Sequence, residues 1–204
     1  MALRKLLEQF VLLLSSIRLI PHLIIFKWHS NSKIIHSEVI LWSAIELNYK
    51  PQNSYETLYA FVELMSQCEQ FRNLFYYRMK GFNKLLSLFC SPMNTLYLDT
   101  KDIGEGLFIQ HGFATMVAAK KIGINCWINQ QVTIGFTSEM DYPTIGDNVT
   151  INAGAKVLGN VKIGNNVIIG ANAVVVKDVP ENCTVVGVPA YIIRKDGLKV
   201  NEAL

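Results

Sequence analysis

Aliphatic residues recur every six positions through the C-terminal half of the chain. The series runs Ile103 and Ile109, then Ile122, Ile128 and Ile134, then Ile145, Ile151, Val157, Ile163, Ile169 and Val175. Four places after many of these stands a second small or aliphatic side chain: Cys126, Val132, Val149, Ala155, Val161, Val167 and Ala173. A period of six matches neither the 3.6-residue helix nor the two-residue strand. It fits a solenoid of short strands and tight turns, three strands to a coil, with the aliphatic side chains pointing inward. Gly follows the aliphatic at Ile145-Gly146, Ile163-Gly164 and Ile169-Gly170. Gly, Asn and Asp take the turn conformations that other residues resist.

Two interruptions break the phase. Ile109 to Ile122 is thirteen residues, two repeats and one extra, and Ile134 to Ile145 is eleven, one repeat and five extra. The second excess, FTSEMDYP and its neighbours, is expected to leave the prism as a loop, where binding groups are commonly carried.

Residues 1–95 have a different pattern. Leu58, Phe61, Val62, Met65, Cys68, Phe71 and Phe75 fall at spacings of three and four. This predicts one amphipathic helix, capped by Ser54, with Glu56 in its first turn, ending near Lys80 before Gly81. The expected architecture is therefore α+β, with a helical domain over 1–95 and a β-helix domain with a C-terminal tail over 96–204.

Residues 10–26, FVLLLSSIRLIPHLIIF, are strongly apolar, but Arg18, Pro21 and His22 interrupt a stretch already short for a membrane span. They read either as helices of a helical domain or subunit interface, or as a monotopic membrane contact. Residues 1–33 carry five basic side chains against Glu8 alone, a balance that suits anionic lipid. A signal peptide fits poorly, because Arg18 breaks the apolar run. The chain is read as cytoplasmic, with the inner membrane face as the site of any such contact.

A net charge of +3, with no Lys/Arg run, excludes a phosphate-tracking face and hence a nucleic-acid binder. Cys68, Cys90, Cys126 and Cys183 lie far apart with no CxxC pair, so they read as buried thiols rather than disulfides or a zinc site. No metal is expected.

The runs IGEGLFIQHGFATMV, INQQVTIG and INAGAKVLGNVKIGNNVIIGANAVVVKDVPENCTVVGVPA resemble the hexapeptide-repeat acyltransferases. Within them the chain is similar to the serine acetyltransferase branch and to its relatives that O-acetylate capsular polysaccharides and exopolysaccharides. The resemblance covers residues 97–195 and extends into the helical half through LFYYRM. It implies a left-handed parallel β-helix, assembled as a homotrimer or a dimer of trimers, with the active site between neighbouring prisms. It implies acetyl-CoA as cosubstrate and His111, in IQHGFA, as the general base that takes the acceptor's hydroxyl proton. His22, His29 and His36 have no such role. The coenzyme contacts implied are Gly154 and Ala155 along the pantetheine arm; Ala171, Ala173, Gly187, Pro189 and Ala190 toward the adenine; and Arg194 and Lys195 for the 3′-phosphate.

The chain also departs from the serine enzymes. Leu96 stands fifteen positions before His111, where that branch has an acidic residue, and Asp99 is out of phase. The glycine-rich loop with its Arg-His-Pro sequence is shortened, placing Asp141 and Tyr142 where the basic pair would be. A free amino acid needs charged partners for its ammonium and its carboxylate. On that ground the expected acceptor is a neutral sugar hydroxyl of a cell-surface polysaccharide or its precursor, received by Trp127, Gln130, Asp141 and Tyr142. Serine, as in cysteine biosynthesis, is the alternative; a non-catalytic scaffold with a structural His111 is the third reading.

Overall fold

The computed structural model describes residues 14, 16–29 and 31–204, in two compact units, residues 1–93 and 94–204. In the first unit, α1 (Ile20–Trp28), α2 (Ser32–Glu46), α3 (Ser54–Gln67), α4 (Glu69–Arg78) and α5 (Asn83–Leu86) follow in order. Trp42, Phe61, Phe71 and Phe75 form the core, with Trp42 and Phe71 at 5.3 Å and Phe61 and Phe75 at 5.2 Å between ring centroids. Glu38 and Arg78 form a buried ion pair at 2.6 Å.

The single helix expected over residues 54–80 is two helices. Cys68 is extended (φ −109°, ψ 96°) and breaks the ladder. Arg72 Nη1 donates to the Met65 carbonyl at 2.9 Å, satisfying an acceptor that the break leaves open. The N-cap is Asn53 rather than Ser54: its Oδ1 accepts from the Glu56 amide, while Glu56 reaches back to the Gln52 amide. Gly81, at φ +96°, follows the end of α4.

The second unit is a parallel β-helix, in agreement with the six-residue period. One face stacks β1 (Leu96–Leu98), β3 (Thr115–Val117), β6 (Thr133–Gly135), β9 (Lys156–Leu158) and β12 (Val174–Val175). A second stacks β4 (Lys121–Ile122), β7 (Thr144–Ile145) and β10 (Lys162–Ile163), extended by bridges at Ile103 and Val179. The third stacks β2 (Phe108–Ile109), β5 (Trp127–Ile128), β8 (Thr150–Ile151), β11 (Ile168–Ile169) and β13 (Cys183–Val186). The antiparallel pair β14 (Tyr191–Lys195) and β15 (Leu198–Ala203) then closes that sheet. No aliphatic residue of the six-residue series is more than 5 % exposed. The corner between the second and third faces is tight. A Cβ on Gly104 would stand 2.6 Å from the Gly123 carbonyl carbon one coil away, so only glycine fits.

The extra residues fall where the spacing alone does not locate them. Ile109 to Met116 takes seven residues, whereas Ile128 to Thr133, Ile151 to Lys156 and Ile169 to Val174 each take five. The turn from Val117 to Ile122 is one residue shorter than that from Val157 to Ile163. The single apparent excess is thus two residues added at one corner and one removed at the next. The five-residue excess is the loop over 136–143, between β6 and β7, as expected.

Among the described residues no helix is long and apolar enough to cross a membrane. Much of the stretch read as a membrane contact (residues 1–13, 15 and 30) lies outside the described residues. In the part described, His22 and Phe26 are buried. All four cysteines are free and buried.

Candidate active site

The two added residues sit in the corner that follows β2, where His111 stands in the same place as Gln130, Ala153 and Ala171 of the other coils. His111 (φ +63°), Gly112 (φ +66°) and Ala114 (φ +51°) all take left-handed backbone there. The Gly112 amide closes onto the Gln110 carbonyl at 2.8 Å. The result is an exposed imidazole with no hydrogen-bond partner among the described residues, not a packed core histidine.

Below it runs an open cleft of about 340 Å³, lined by Gln110, His111, Asn129, Gln130, Asn152, Ala153 and Ala171. These residues come from the same corner of four successive coils, because each follows β2, β5, β8 or β11. The end at His111 is polar. Further along, Ala153 and Ala171 leave a shallow trough. Asn129 donates to Asn152 Oδ1 at 3.3 Å, and Asn152 donates to the Ile169 carbonyl at 2.9 Å, so both amides are held by the coils beneath.

Gln110, Asn129, Asn152 and Ala153 were not foreseen from the sequence. The signal available was position: each occupies the same corner, a coil apart. The indole of Trp127, itself tilted against Phe108 at 4.4 Å, donates from Nε1 to Gln110 Oε1 at 3.3 Å. An indole N–H can only donate, so Gln110 must turn its oxygen toward Trp127, which leaves its amide N–H2 for the cleft. Trp127 therefore stands behind the cleft wall instead of lining it.

Of the expected acceptor contacts, Gln130 lines the cleft with His111, whereas Asp141 and Tyr142 do not. They belong to the loop at the corner after β6, on the far side of the first face. Asp141 accepts from the Thr137 hydroxyl at 2.6 Å and from the Thr137 and Ser138 amides at 2.8 and 3.2 Å. Those bonds, the Thr137 hydroxyl first, hold its carboxyl below the usual range. The carboxylate is thus committed to shaping its own loop. Tyr142 packs edge-on to Phe136 at 5.1 Å. Leu96, at the position where an acid was sought, is buried at 4 % exposure, and Asp99 is exposed.

The expected coenzyme contacts divide in the same way. Ala171 lines the cleft. Gly154 (φ +74°) is half-buried at the same corner. Ala155 and Ala173 are both 0 % exposed, with their methyl groups in the inner column of the prism. Pro189 and Ala190 line a separate cleft of about 330 Å³ with Val176, Lys177, Tyr191, Ala203 and Leu204. Gly187 is half-buried and its carbonyl accepts from the Val174 amide. On β14, Arg194 is exposed, while Lys195 is paired with Glu202 at 3.6 Å. Sheet order puts β14 five strand spacings from β2, roughly 24 Å from the His111 end. Among the described residues no group of His, Cys, Asp or Glu could hold a metal ion.

Comparison with known proteins agrees with the prism and corrects the acceptor. Residues 142–177 match the model described as bacterial transferase hexapeptide (six repeats). A serine acetyltransferase from Staphylococcus aureus is 50% identical over 104 residues, covering 49% of this chain and 49% of that protein. Among solved structures, a serine acetyltransferase from Brucella abortus superposes with a TM-score of 0.61 at 26% identity, covering 85% of this chain and 70% of that one. A serine acetyltransferase in complex with CoA superposes with a TM-score of 0.59 at 26% identity, covering 84% and 74%. The chain spans about half the length of the curated relatives it matches. The repeat is thus that of the hexapeptide transferases, with serine acetyltransferases as homologues. The expectation of a polysaccharide acceptor is overturned: relatives at about half identity are serine acetyltransferases, which was the alternative.

Proposed function

We propose that this protein transfers the acetyl group of acetyl-CoA to the hydroxyl of serine, with His111 as general base. The observation that carries the proposal is the exposed imidazole at the polar end of the cleft, in a chain about half identical over its matched region to serine acetyltransferases. The likeness to a CoA-bound neighbour supports the choice of donor.

The chemistry follows from the placement of groups. The acceptor hydroxyl gives its proton to the neutral imidazole as its oxygen attacks the thioester carbonyl. The tetrahedral adduct then collapses, the C–S bond breaks, and imidazolium returns the proton to the departing thiolate. The trough past Ala153 and Ala171 suits an extended pantetheine arm, leaving the acceptor to enter beside Gln110 and Gln130. Assembly as a homotrimer fits this reading. The Asp141–Tyr142 loop lies at a different corner from His111 within one chain, and a neighbouring prism could bring its own loop to the open side of the cleft.

Release of CoA thiol, measured with L-serine and with a panel of saccharides, tests the reading. Thiol release dependent on L-serine is expected. Release with a saccharide and none with L-serine would overturn it.

A further inference from the structure

We propose that Thr115 is a positioning residue for His111, fixing the enlarged corner from inside the prism; the inference rests on His111 as the base proposed above. One inner column of the β-helix runs through this corner, immediately before Met116, Thr133, Lys156 and Val174, which are paired strand to strand. Its residues are Leu96, Thr115, Val132, Ala155 and Ala173, at most 4 % exposed. Thr115 alone in that column carries a hydroxyl, in a position where apolar side chains serve the other coils.

The hydroxyl has a task that the other coils lack. Thr115 Oγ1 donates to the Phe113 carbonyl at 3.2 Å and stands 3.5 Å from the Asn129 carbonyl. The Phe113 carbonyl also accepts from the Gln131 amide at 3.0 Å, and the Thr115 amide donates to the Thr95 carbonyl at 3.0 Å. The buried hydroxyl thus braces the lengthened corner from within and reaches toward the next coil, while the Thr115 backbone amide holds the coil on the other side. Non-glycine residues hold left-handed backbone only where their surroundings over-determine it. His111 does so here, whereas Ala114 shares its left-handed backbone with Gln131, Gly154 and Asn172 at the same position of the other coils. A corner two residues longer than its neighbours has more conformations open to it, and the Thr115 hydroxyl selects the one that presents the imidazole.

The test compares Thr115→Val, nearly isosteric but without the hydroxyl, with Thr115→Ser. The control is Thr100→Val. Thr100 is also buried, donates to the Val117 carbonyl at 3.1 Å and accepts from the Ala119 amide at 2.9 Å, at a different corner. Thr115→Val is expected to lower kcat by about tenfold to a hundredfold, as a misplaced base does, with KM for acetyl-CoA unchanged. Thr115→Ser should restore kcat and Thr100→Val should retain it. A crystal structure of Thr115→Val should show His111 moved from its φ of +63°. Wild-type kcat in Thr115→Val, an equal loss in Thr100→Val, no recovery in Thr115→Ser, or an unmoved corner would each overturn the proposal. Should Thr115→Val not fold, Thr115→Ala carries the same comparison. Full activity in His111→Ala would instead remove the base reading, and the crystallographic comparison would still decide what holds the corner.

Discussion

At the scale of single residues, the chemistry depends on one exposed imidazole and on the neutral amides around it. Removing a general base commonly costs two to four orders of magnitude. His111→Ala should therefore lower kcat about a hundredfold or more, with acetyl-CoA binding retained, as steady-state kinetics and a CoA titration would show. Trp127 acts at one remove, by holding Gln110 Oε1. Trp127→Phe keeps the ring against Phe108 and deletes the indole donor. One such bond contributes about 0.5–1.5 kcal/mol, so kcat/KM for the acceptor should fall roughly two- to tenfold. An unchanged value would mean that the Gln110 amide takes no part in binding. His111 was singled out because it stands in a motif, and Gln130 as a hydrogen-bonding group for a neutral acceptor; the fold places Gln130 one coil from His111. Gln110 was not singled out, because its role depends on an indole seventeen residues later that only the stacking of β2 on β5 brings near. Asp141 and Tyr142 stand away from His111 within one chain, because position in a loop says nothing about which corner of the prism carries that loop.

At the scale of elements, the six-residue period was legible because each inward aliphatic is fixed by burial. The corner insertion was hidden because two residues gained and one lost look like a single excess. The helix break at Cys68 was hidden because the three-and-four spacing of apolar residues runs through it, and Arg72 compensates from the following turn. A regular feature stabilises the opposite edge of the prism. Asn125, Asn148, Asn166 and Asn182 all hold φ between +53° and +57°, stack through their side-chain amides, and end on Asp196. Asparagine tolerates left-handed backbone and can both donate and accept along such a column. Asn166→Ala loses the 3.1 Å bond from Asn148 and the 2.8 Å bond to Asn182 and keeps the unfavourable φ. It should cost about 1–3 kcal/mol in chemical denaturation, and Asn166→Gly about 1 kcal/mol less, since glycine removes the backbone term. Equal losses for the two would place the whole effect in the amide bonds.

At the scale of the whole molecule, the helical unit carries a pH dependence of its own. His22 is buried, and its Nε2 lies 2.9 Å from the Tyr76 hydroxyl, which in turn donates to the Cys90 carbonyl. Burial first, and then the Arg18 charge, push its pKa down from 6.5 to about 4. A base whose folded pKa is depressed contributes nothing above about pH 6.5, where both states are neutral. As pH falls from 6.5 toward 4 the unfolded chain takes up a proton that the native state refuses, so stability falls by at most about 1.4 kcal/mol per pH unit and levels off below 4. Replacing His22 with Phe should flatten that part of the stability curve measured by denaturation against pH. The most direct test of the catalytic account is a crystal structure of the protein with CoA bound. The account predicts the thiol sulfur beside the His111 imidazole and the pantetheine arm along Ala153 and Ala171. A coenzyme seated elsewhere, with its sulfur remote from His111, would contradict it.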